Sequence, residues 1–275
     1  MRIDEALALA RAQGVARLDA QLLLSHLLAQ SRSWLLAHDE QSLAADQAAS
    51  YRAMLERRAG GEPLAYVTAA CEFRGLRLQL TPDVLVPRPE TELLVEWALE
   101  CLDTAAGTSP SVVDLGTGSG AVALAIQHAR PQAQVCASDT SLAALAVARA
   151  NGLRLQLPVH WLAGDWWAPM AGRRYALAVS NPPYIAGDDL HLQALRHEPR
   201  AALTPEGDGL DALRHIVAGA PAHLLPGAWL LLEHGHDQAD AVQQMLLGQG
   251  FKAAQTRMDL SGLPRCTGAT WYGAN

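Results

Sequence analysis

The segment Asn181-Pro182-Pro183-Tyr184 carries the densest chemistry in this chain. Two acceptors, the Asn181 side-chain oxygen and the Pro182 carbonyl, can hold both hydrogens of one NH2 group, and the paired prolines keep that carbonyl in place. Tyr184 can then lie against the face of a planar group. An amide or exocyclic amine nitrogen is a poor nucleophile because its lone pair is delocalised. Orienting that lone pair toward an electrophilic methyl group is therefore most of what a protein can contribute. No strong base is needed beforehand, because attack makes the nitrogen acidic while the same acceptors stabilise the developing positive charge. The bland alternative is a rigid turn, since two prolines also end a strand.

A second group of residues suits a nucleotide. Asp114-Leu115-Gly116-Thr117-Gly118-Ser119-Gly120 follows an apolar run and precedes Ala121 to Ile126, a setting in which glycines let a ligand approach a helix N-terminus. Asp139 ends the next apolar run, where a carboxylate can accept both hydroxyls of a ribose. Asp139-Thr140-Ser141 also has the composition of a helix cap, and both roles can hold together. A nicotinamide dinucleotide would satisfy these two features as well as an adenosyl donor, so they leave the cofactor open. Trp166, in Gly164-Asp165-Trp166-Trp167, is placed to cover a base by stacking, although a tryptophan at a strand end more often packs in a core.

These residues need a frame. Strand-like runs at Ser111 to Leu115, Ala133 to Ser138, Val159 to Ala163, Ala176 to Ser180 and Trp229 to Glu233 alternate with helix-like runs at Ala121 to Ala129, Leu142 to Ala150 and Leu210 to Ala220. That alternation predicts an α/β, doubly wound parallel sheet whose carboxyl edge collects the glycine loop, Asp139, Trp166 and Asn181. Residues 1 to 60 read instead as short amphipathic helices, with Ile3, Leu7 and Ala10 on one face and Leu24, Leu27 and Leu28 on another. From residue 62 to 87 the pattern changes, through Leu64-Ala65-Tyr66-Val67 to the alternating Leu76-Arg77-Leu78-Gln79-Leu80, which predicts a strand or hairpin connector. Pro89 then opens a helix with Leu94, Trp97, Ala98 and Cys101 on one face.

Composition narrows the classes. Half of the 275 residues are hydrophobic, which supports a sizeable aliphatic core. A net charge of −7 without any long Lys/Arg run lacks the footprint a duplex binder needs, so no direct nucleic-acid partner is expected. Cys71, Cys101, Cys136 and Cys266 are scattered and form no CxxC pair, as expected of reduced thiols. The opening Met1-Arg2-Ile3-Asp4-Glu5 has neither the basic nor the apolar region of a secretion signal, and no stretch is apolar enough for a membrane span; the expected location is cytoplasmic. His234-Gly235-His236 supplies two imidazoles without a third ligand, so no metal is expected. Arg88 and Glu90 read as an exposed ion pair that can also border the donor pocket, and the excursion containing Glu198-Pro199-Arg200 as a candidate lid.

In chain order, Val86-Pro87-Arg88-Pro89-Glu90-Thr91-Glu92, Asp114 to Gly120, Asn181 to Tyr184 and Leu232-Glu233-His234-Gly235 resemble the HemK/PrmC family of protein-(glutamine-N5) methyltransferases over nearly the whole chain. The resemblance implies a Rossmann-like class I methyltransferase domain of seven mostly parallel strands at 88–275. It further implies a small helical substrate-docking domain at 1–61 and a β-hairpin connector at 62–87. The cofactor it implies is S-adenosyl-L-methionine, contacted by Gly116, Thr117, Gly118, Ser119, Gly120, Asp139, Trp166 and Asn181. The acceptor it implies is the glutamine of the Gly-Gly-Gln motif in class-one peptide chain release factors, clamped by Asn181, Pro182, Pro183 and Tyr184, with Asn181, Pro182 and Tyr184 catalytic. Two departures from the family pattern are Thr140 after the ribose acid and the bulk of Trp166-Trp167 beside the adenine. Rival readings are a DNA amino-methyltransferase of the same Asn-Pro-Pro-Tyr type, which would need a basic groove, a nicotinamide-dependent oxidoreductase, and a non-catalytic binder of release factors.

Overall fold

A computed structural model of the chain describes residues 1–104 and 107–273. Two units are distinguished, Met1–Ala70 and a second beginning at Cys71.

The first unit is helical: α1 (Ile3–Ala12), α2 (Arg17–Leu28), α3 (Arg32–Ala37), α4 (Ala45–Ala59) and the single turn α5 (Leu64–Val67). Asp4 and Glu5 sit in the first turn of α1, where carboxylates meet the positive helix end, and the Ser31 hydroxyl caps α3 by accepting the Trp34 N–H. Ile3, Leu23, Leu24, Leu35, Tyr51 and Leu55 close its core. The buried Tyr51 hydroxyl donates to the Ala20 carbonyl at 3.3 Å. Residues 64–67 are helical, where the sequence pattern suggested a strand. Pro63 occupies the position before the first turn, and its carbonyl accepts the Tyr66 and Val67 N–H groups.

In the second unit, β1 (Ala70–Phe73) and β2 (Leu76–Gln79) pair across the turn Arg74-Gly75, both residues with positive φ. The alternation read at Leu76 to Leu80 is thus a hairpin strand with its leucines buried. Buried Asn151 accepts the Gln79 N–H and donates to the Gln79 carbonyl, at 2.7 and 3.0 Å, fastening β2 to the helix that carries it. A 3₁₀ turn at Pro89–Thr91 leads into α6 (Glu92–Thr104). Then follow β3 (Ser111–Leu115), α7 (Ala121–Ala129), β4 (Gln134–Asp139), α8 (Leu142–Leu155), β5 (His160–Ala163), β6 (Tyr175–Ser180), α9 (Asp211–His223), β7 (Leu224–Glu233), α10 (Ala239–Gly248), β8 (Lys252–Met258) and β9 (Pro264–Trp271).

The sheet has seven strands in the order β5-β4-β3-β6-β7-β9-β8, parallel except for β9, which runs antiparallel to both of its neighbours. Strands β3 and β6 are almost wholly buried and correspondingly apolar, as a sheet covered on both faces demands. At Gly268 on β9 an added Cβ would overlap Leu231 and meet the Trp97 ring at 2.9 Å, so the glycine is what allows α6 to seat its tryptophan on the sheet. Chain order reverses between β3 and β6, and the crevice at the carboxyl ends of those two strands is where an open α/β sheet takes its ligand.

Candidate active site

A cavity of about 230 Å³ opens at that crevice. Its walls include Gly116 to Ser119 after β3, Asp139 and Ser141 after β4, Asp165 and Trp166 after β5, and Asn181 and Pro183 after β6. Val84, Pro87 and Thr91 close it on one side, and Pro199, Ala201 and Ala202 on another.

The three glycines of the loop have different jobs. All adopt positive φ, a region that favours glycine. An added Cβ at Gly118 would meet nothing within 4 Å, so the backbone there faces open space. At Gly116 it would meet the Trp166 ring at 3.1 Å. At Gly120 it would press on Trp161, Leu124 and Ala148 at 3.0 to 3.2 Å, and Gly120 does not line the cavity; it is a packing glycine. The Thr117 hydroxyl donates to Asp114 at 2.6 Å. Burial pushes the Asp114 carboxyl up to about 7, against the pull of Thr117 and the Ala123 N–H.

Asp139 is not the cap of α8. Ser141 is, accepting the Ala144 N–H at 3.1 Å. Asp139 instead ties two loops together, one carboxylate oxygen accepting the Gly118 N–H at 2.9 Å and the other the Ser141 N–H at 2.8 Å. Burial raises its pKa, and the N–H groups oppose the rise. The tryptophan pair divides as well. Trp166, at φ 40°, lines the cavity. Trp167 turns into the core, its indole N–H donating to the Ile216 carbonyl at 2.8 Å while its ring stacks on His223. The bulk expected of both rings beside the ligand therefore comes from Trp166 alone.

Around the reactive segment, the Asn181 amide nitrogen donates to the Thr91 hydroxyl oxygen at 3.0 Å. Pro182 is buried, and neither it nor Tyr184 lines the cavity, whereas Asn181 and Pro183 do. The Tyr184 hydroxyl donates to a Glu233 carboxyl oxygen at 3.4 Å, and its carbonyl accepts from the Gln238 amide at 2.9 Å. Glu233, at the end of β7, is only 1% exposed. Burial lifts its carboxyl to about 7, while Thr91, the Arg265 guanidinium and Tyr184 pull it down. Burial, then the Glu233 charge, raises the Tyr184 phenol above its ordinary range.

Arg88 does not pair with Glu90. Its guanidinium meets Glu198 at 2.5 Å, and the second Glu198 oxygen accepts the Val86 N–H at 3.1 Å. The Glu198 side chain is 3% exposed, so the contact is a tether holding the loop that carries the cavity-lining Pro199, Ala201 and Ala202 to the segment before α6. His234 is also buried, its ring bonded to Thr267 and the Gly235 carbonyl. Among the described residues no cluster of His, Cys, Asp and Glu could hold a metal ion, and no helix is long and apolar enough to cross a membrane. Sequence reasoning missed Thr91 and Asp165 as cavity residues. Both lie inside segments it had singled out, Val86 to Glu92 and Gly164 to Trp167, but only the fold says which side chains of those segments turn inward.

The sequence matches the family profile for the PrmC N-terminal domain over residues 4–68 and that of the methyltransferase small domain over residues 91–210. A release factor glutamine methyltransferase of Bordetella pertussis is 50% identical over 258 residues, covering 93% of this chain and 95% of its own. The protein of that description from Escherichia coli is 38% identical over 273 residues, covering 98% of both. Among solved structures, a methyltransferase from Pyrococcus furiosus superposes with a TM-score of 0.54 over 73% of this chain and 90% of its own, at 18% identity, a likeness of fold.

Proposed function

The chain belongs to the release factor glutamine methyltransferase family, and from that premise we propose that it transfers a methyl group from S-adenosyl-L-methionine to the side-chain amide nitrogen of the Gly-Gly-Gln glutamine in class-one peptide chain release factors. S-adenosyl-L-methionine is the methyl donor, and when bound it supplies an electrophilic methyl on a sulfonium sulfur. The cavity residues fit such a group. Gly118 presents open backbone, the Asp139 carboxylate retains unused lone pairs beside it, and Trp166 offers an aromatic wall. Gly116 to Gly120, Asp139, Trp166 and Asn181 are the residues proposed to hold it, Gly120 by shaping the loop from behind.

The observation that carries the acceptor assignment is the polarity of Asn181. Its amide nitrogen is committed to Thr91, so its oxygen is the atom left to meet an incoming NH2 group. With the Pro182 carbonyl as second acceptor, both hydrogens of a carboxamide are held in the plane of the group, and the nitrogen lone pair stands perpendicular to it. Pro182 and Pro183 keep that carbonyl from turning away. As positive charge grows on nitrogen, the two oxygens stabilise it, and the proton leaves once attack has made it acidic. Tyr184, fixed through its hydroxyl and its carbonyl, supports the planar face of the substrate.

Residues 1–61 are proposed to dock a second surface of the release factor, because remote binding energy can position one weak nucleophile. Residues 62–87 are proposed as the connector and 88–275 as the catalytic domain. The reading as a protein methylase of the cytoplasm, acting neither on nucleic acid nor at a membrane, draws on the net charge of −7 and on the relatives. The test is to incubate the protein and labelled S-adenosyl-L-methionine with release factor, with the same factor carrying alanine for the Gly-Gly-Gln glutamine, and with duplex DNA. Label is expected on the unaltered factor alone; label on DNA or on the alanine variant, with none on the factor, overturns the reading.

A further inference from the structure

We propose that Gln238, the residue before α10, is a positioning residue for the methyl acceptor: its amide holds the Tyr184 carbonyl and so fixes the far end of the Asn-Pro-Pro-Tyr segment. The inference rests on the reading of that segment as the acceptor clamp.

Pro182 and Pro183 carry no N–H, so hydrogen bonds can anchor the clamp only at its ends and through its carbonyls and side chains. At the near end, β6 is paired to β3 as far as Ser180, and the Asn181 amide nitrogen donates to Thr91 at 3.0 Å. At the far end, the Tyr184 carbonyl accepts the Gln238 amide N–H at 2.9 Å. The proline rings lock φ at 182 and 183, which leaves ψ as the freedom by which the Pro182 carbonyl could turn. With both ends held, a turn of that carbonyl must displace an anchor.

Gln238 can stand only one way round. Its side-chain oxygen accepts the Gly235 N–H at 2.9 Å. A backbone N–H only donates and a backbone carbonyl only accepts, so the Gln238 NH2 must face Tyr184. The Gln238 backbone N–H donates to the Gly235 carbonyl at 2.9 Å, closing a turn onto the end of β7. Next to Gly235, the buried His234 ring is bonded to the Thr267 hydroxyl on β9 at 2.7 Å, so the brace stands on the sheet.

The side chain does not serve its own helix. Gln238 occupies the N-cap of α10, where Ser, Thr, Asp or Asn would accept a first-turn N–H, yet it makes no side-chain cap hydrogen bond. Gly209, at φ 78°, lies against the same contact. An added Cβ there would overlap the Tyr184 carbonyl oxygen and meet the Gln238 amide nitrogen at 3.1 Å. The chain returning from the excursion after Tyr184 therefore closes over the Tyr184–Gln238 hydrogen bond, which a residue without a Cβ allows.

The experiment measures kcat and KM for release factor with the full chain, alongside adenosylhomocysteine affinity and thermal melting. Gln238→Glu keeps an oxygen for the Gly235 N–H and loses the donor to Tyr184, and Gln238→Met loses both. Gln238→Lys keeps a donor for Tyr184 and loses the acceptor for Gly235. Gln238→Glu and Gln238→Met are each expected to lower kcat about tenfold or more, as for a displaced reacting group, with donor affinity within about twofold. Gln238→Lys is expected to turn over at least about fivefold faster than either, because an ammonium still donates to the carbonyl. Undiminished kcat in folded Gln238→Glu and Gln238→Met overturns the proposal. So does Gln238→Lys no faster than Gln238→Met, which would give the residue to the Gly235 turn alone, or a loss of kcat matched by an equal loss of donor affinity. If Gln238→Met does not fold, Gln238→Glu against Gln238→Lys decides. No transfer by the unaltered protein would sink the functional reading and this inference with it, whereas transfer undiminished in the variants sinks only the inference.

Discussion

Replacing Asp139 by alanine separates two roles that coincide in one carboxylate. In the structure it accepts two backbone N–H groups, from Gly118 and from Ser141. A hydrogen bond to a charged group contributes about 1.5–3 kcal/mol, so the pair together is worth at most about 3–6 kcal/mol. The net loss is smaller, because the variant also escapes the desolvation that raises the Asp139 pKa, and water can reach an N–H at the cavity edge. A folding cost of about 1–2 kcal/mol remains, which for a chain of 275 residues lowers the donor-free Tm by about 2–4 °C. The second role is acceptance of the donor's ribose hydroxyls, worth about 1.5–3 kcal/mol, or about 10- to 150-fold in Kd. Calorimetric titration with adenosylhomocysteine reads the second effect and thermal melting without ligand reads the first. Unchanged affinity in a folded Asp139→Ala variant refutes the ribose assignment; an unchanged donor-free Tm refutes the argument that Asp139 braces the glycine loop.

Asn181→Ala is expected to cut kcat at saturating donor and factor by at least about a hundredfold while leaving adenosylhomocysteine affinity within a few fold, since orientation of the nucleophile matters most in the transition state; near-normal turnover would make the segment a structural turn. Glu198→Ala strands the Arg88 guanidinium and the Val86 N–H, so limited proteolysis within residues 185–205 is expected to quicken and donor Kd to rise by up to about tenfold as the closed arrangement loses population; identical cleavage and affinity would show that the tether does not shape the pocket. Asp114 and Glu233 both titrate at about 7 in the folded chain and at about 4 when unfolded. The folded state therefore holds protons the unfolded state has released, and stability is expected to decline as pH rises from about 4 to 7. Melting curves across that window check the sign, and a shallower slope is expected in Glu233→Gln.

Local residue chemistry determined a good deal about this protein before any fold was known. The five runs from Ser111 to Glu233 read as strands correspond to β3 to β7; the central β3 and β6 are covered on both faces and so uniformly apolar, whereas β5, at the sheet edge, is only partly buried. That Gly116 to Ser119, Asp139, Asn181 and Pro183 sit together at the cavity was legible because glycine, proline and a strand-end acid are constrained by local backbone geometry and hydrogen-bonding capacity, whereas Gly120, Pro182 and Tyr184 of the same segments do not line it. The helical character of the first 60 residues showed in their periodicity for the same reason. What remained hidden was decided by contacts between residues far apart in sequence. Strand β8 carries a weak pattern because it is an exposed edge, and β8 and β9 are defined by long-range pairing, β9 on β7 and β8 on β9. Trp166 and Trp167 are neighbours with one composition, yet a positive φ at Trp166 sends one ring to the cavity and the other to Ile216. Arg88 has Glu90 two residues away and pairs with Glu198 instead, 110 positions on, because the returning loop brings that carboxylate to both Arg88 and the Val86 N–H. Thr91 and Glu233 meet the reactive segment only where the turn before α6 and the end of β7 converge on it. Which atoms those elements bring within hydrogen-bonding reach of Asn181 and Tyr184 is settled by the packing of the sheet.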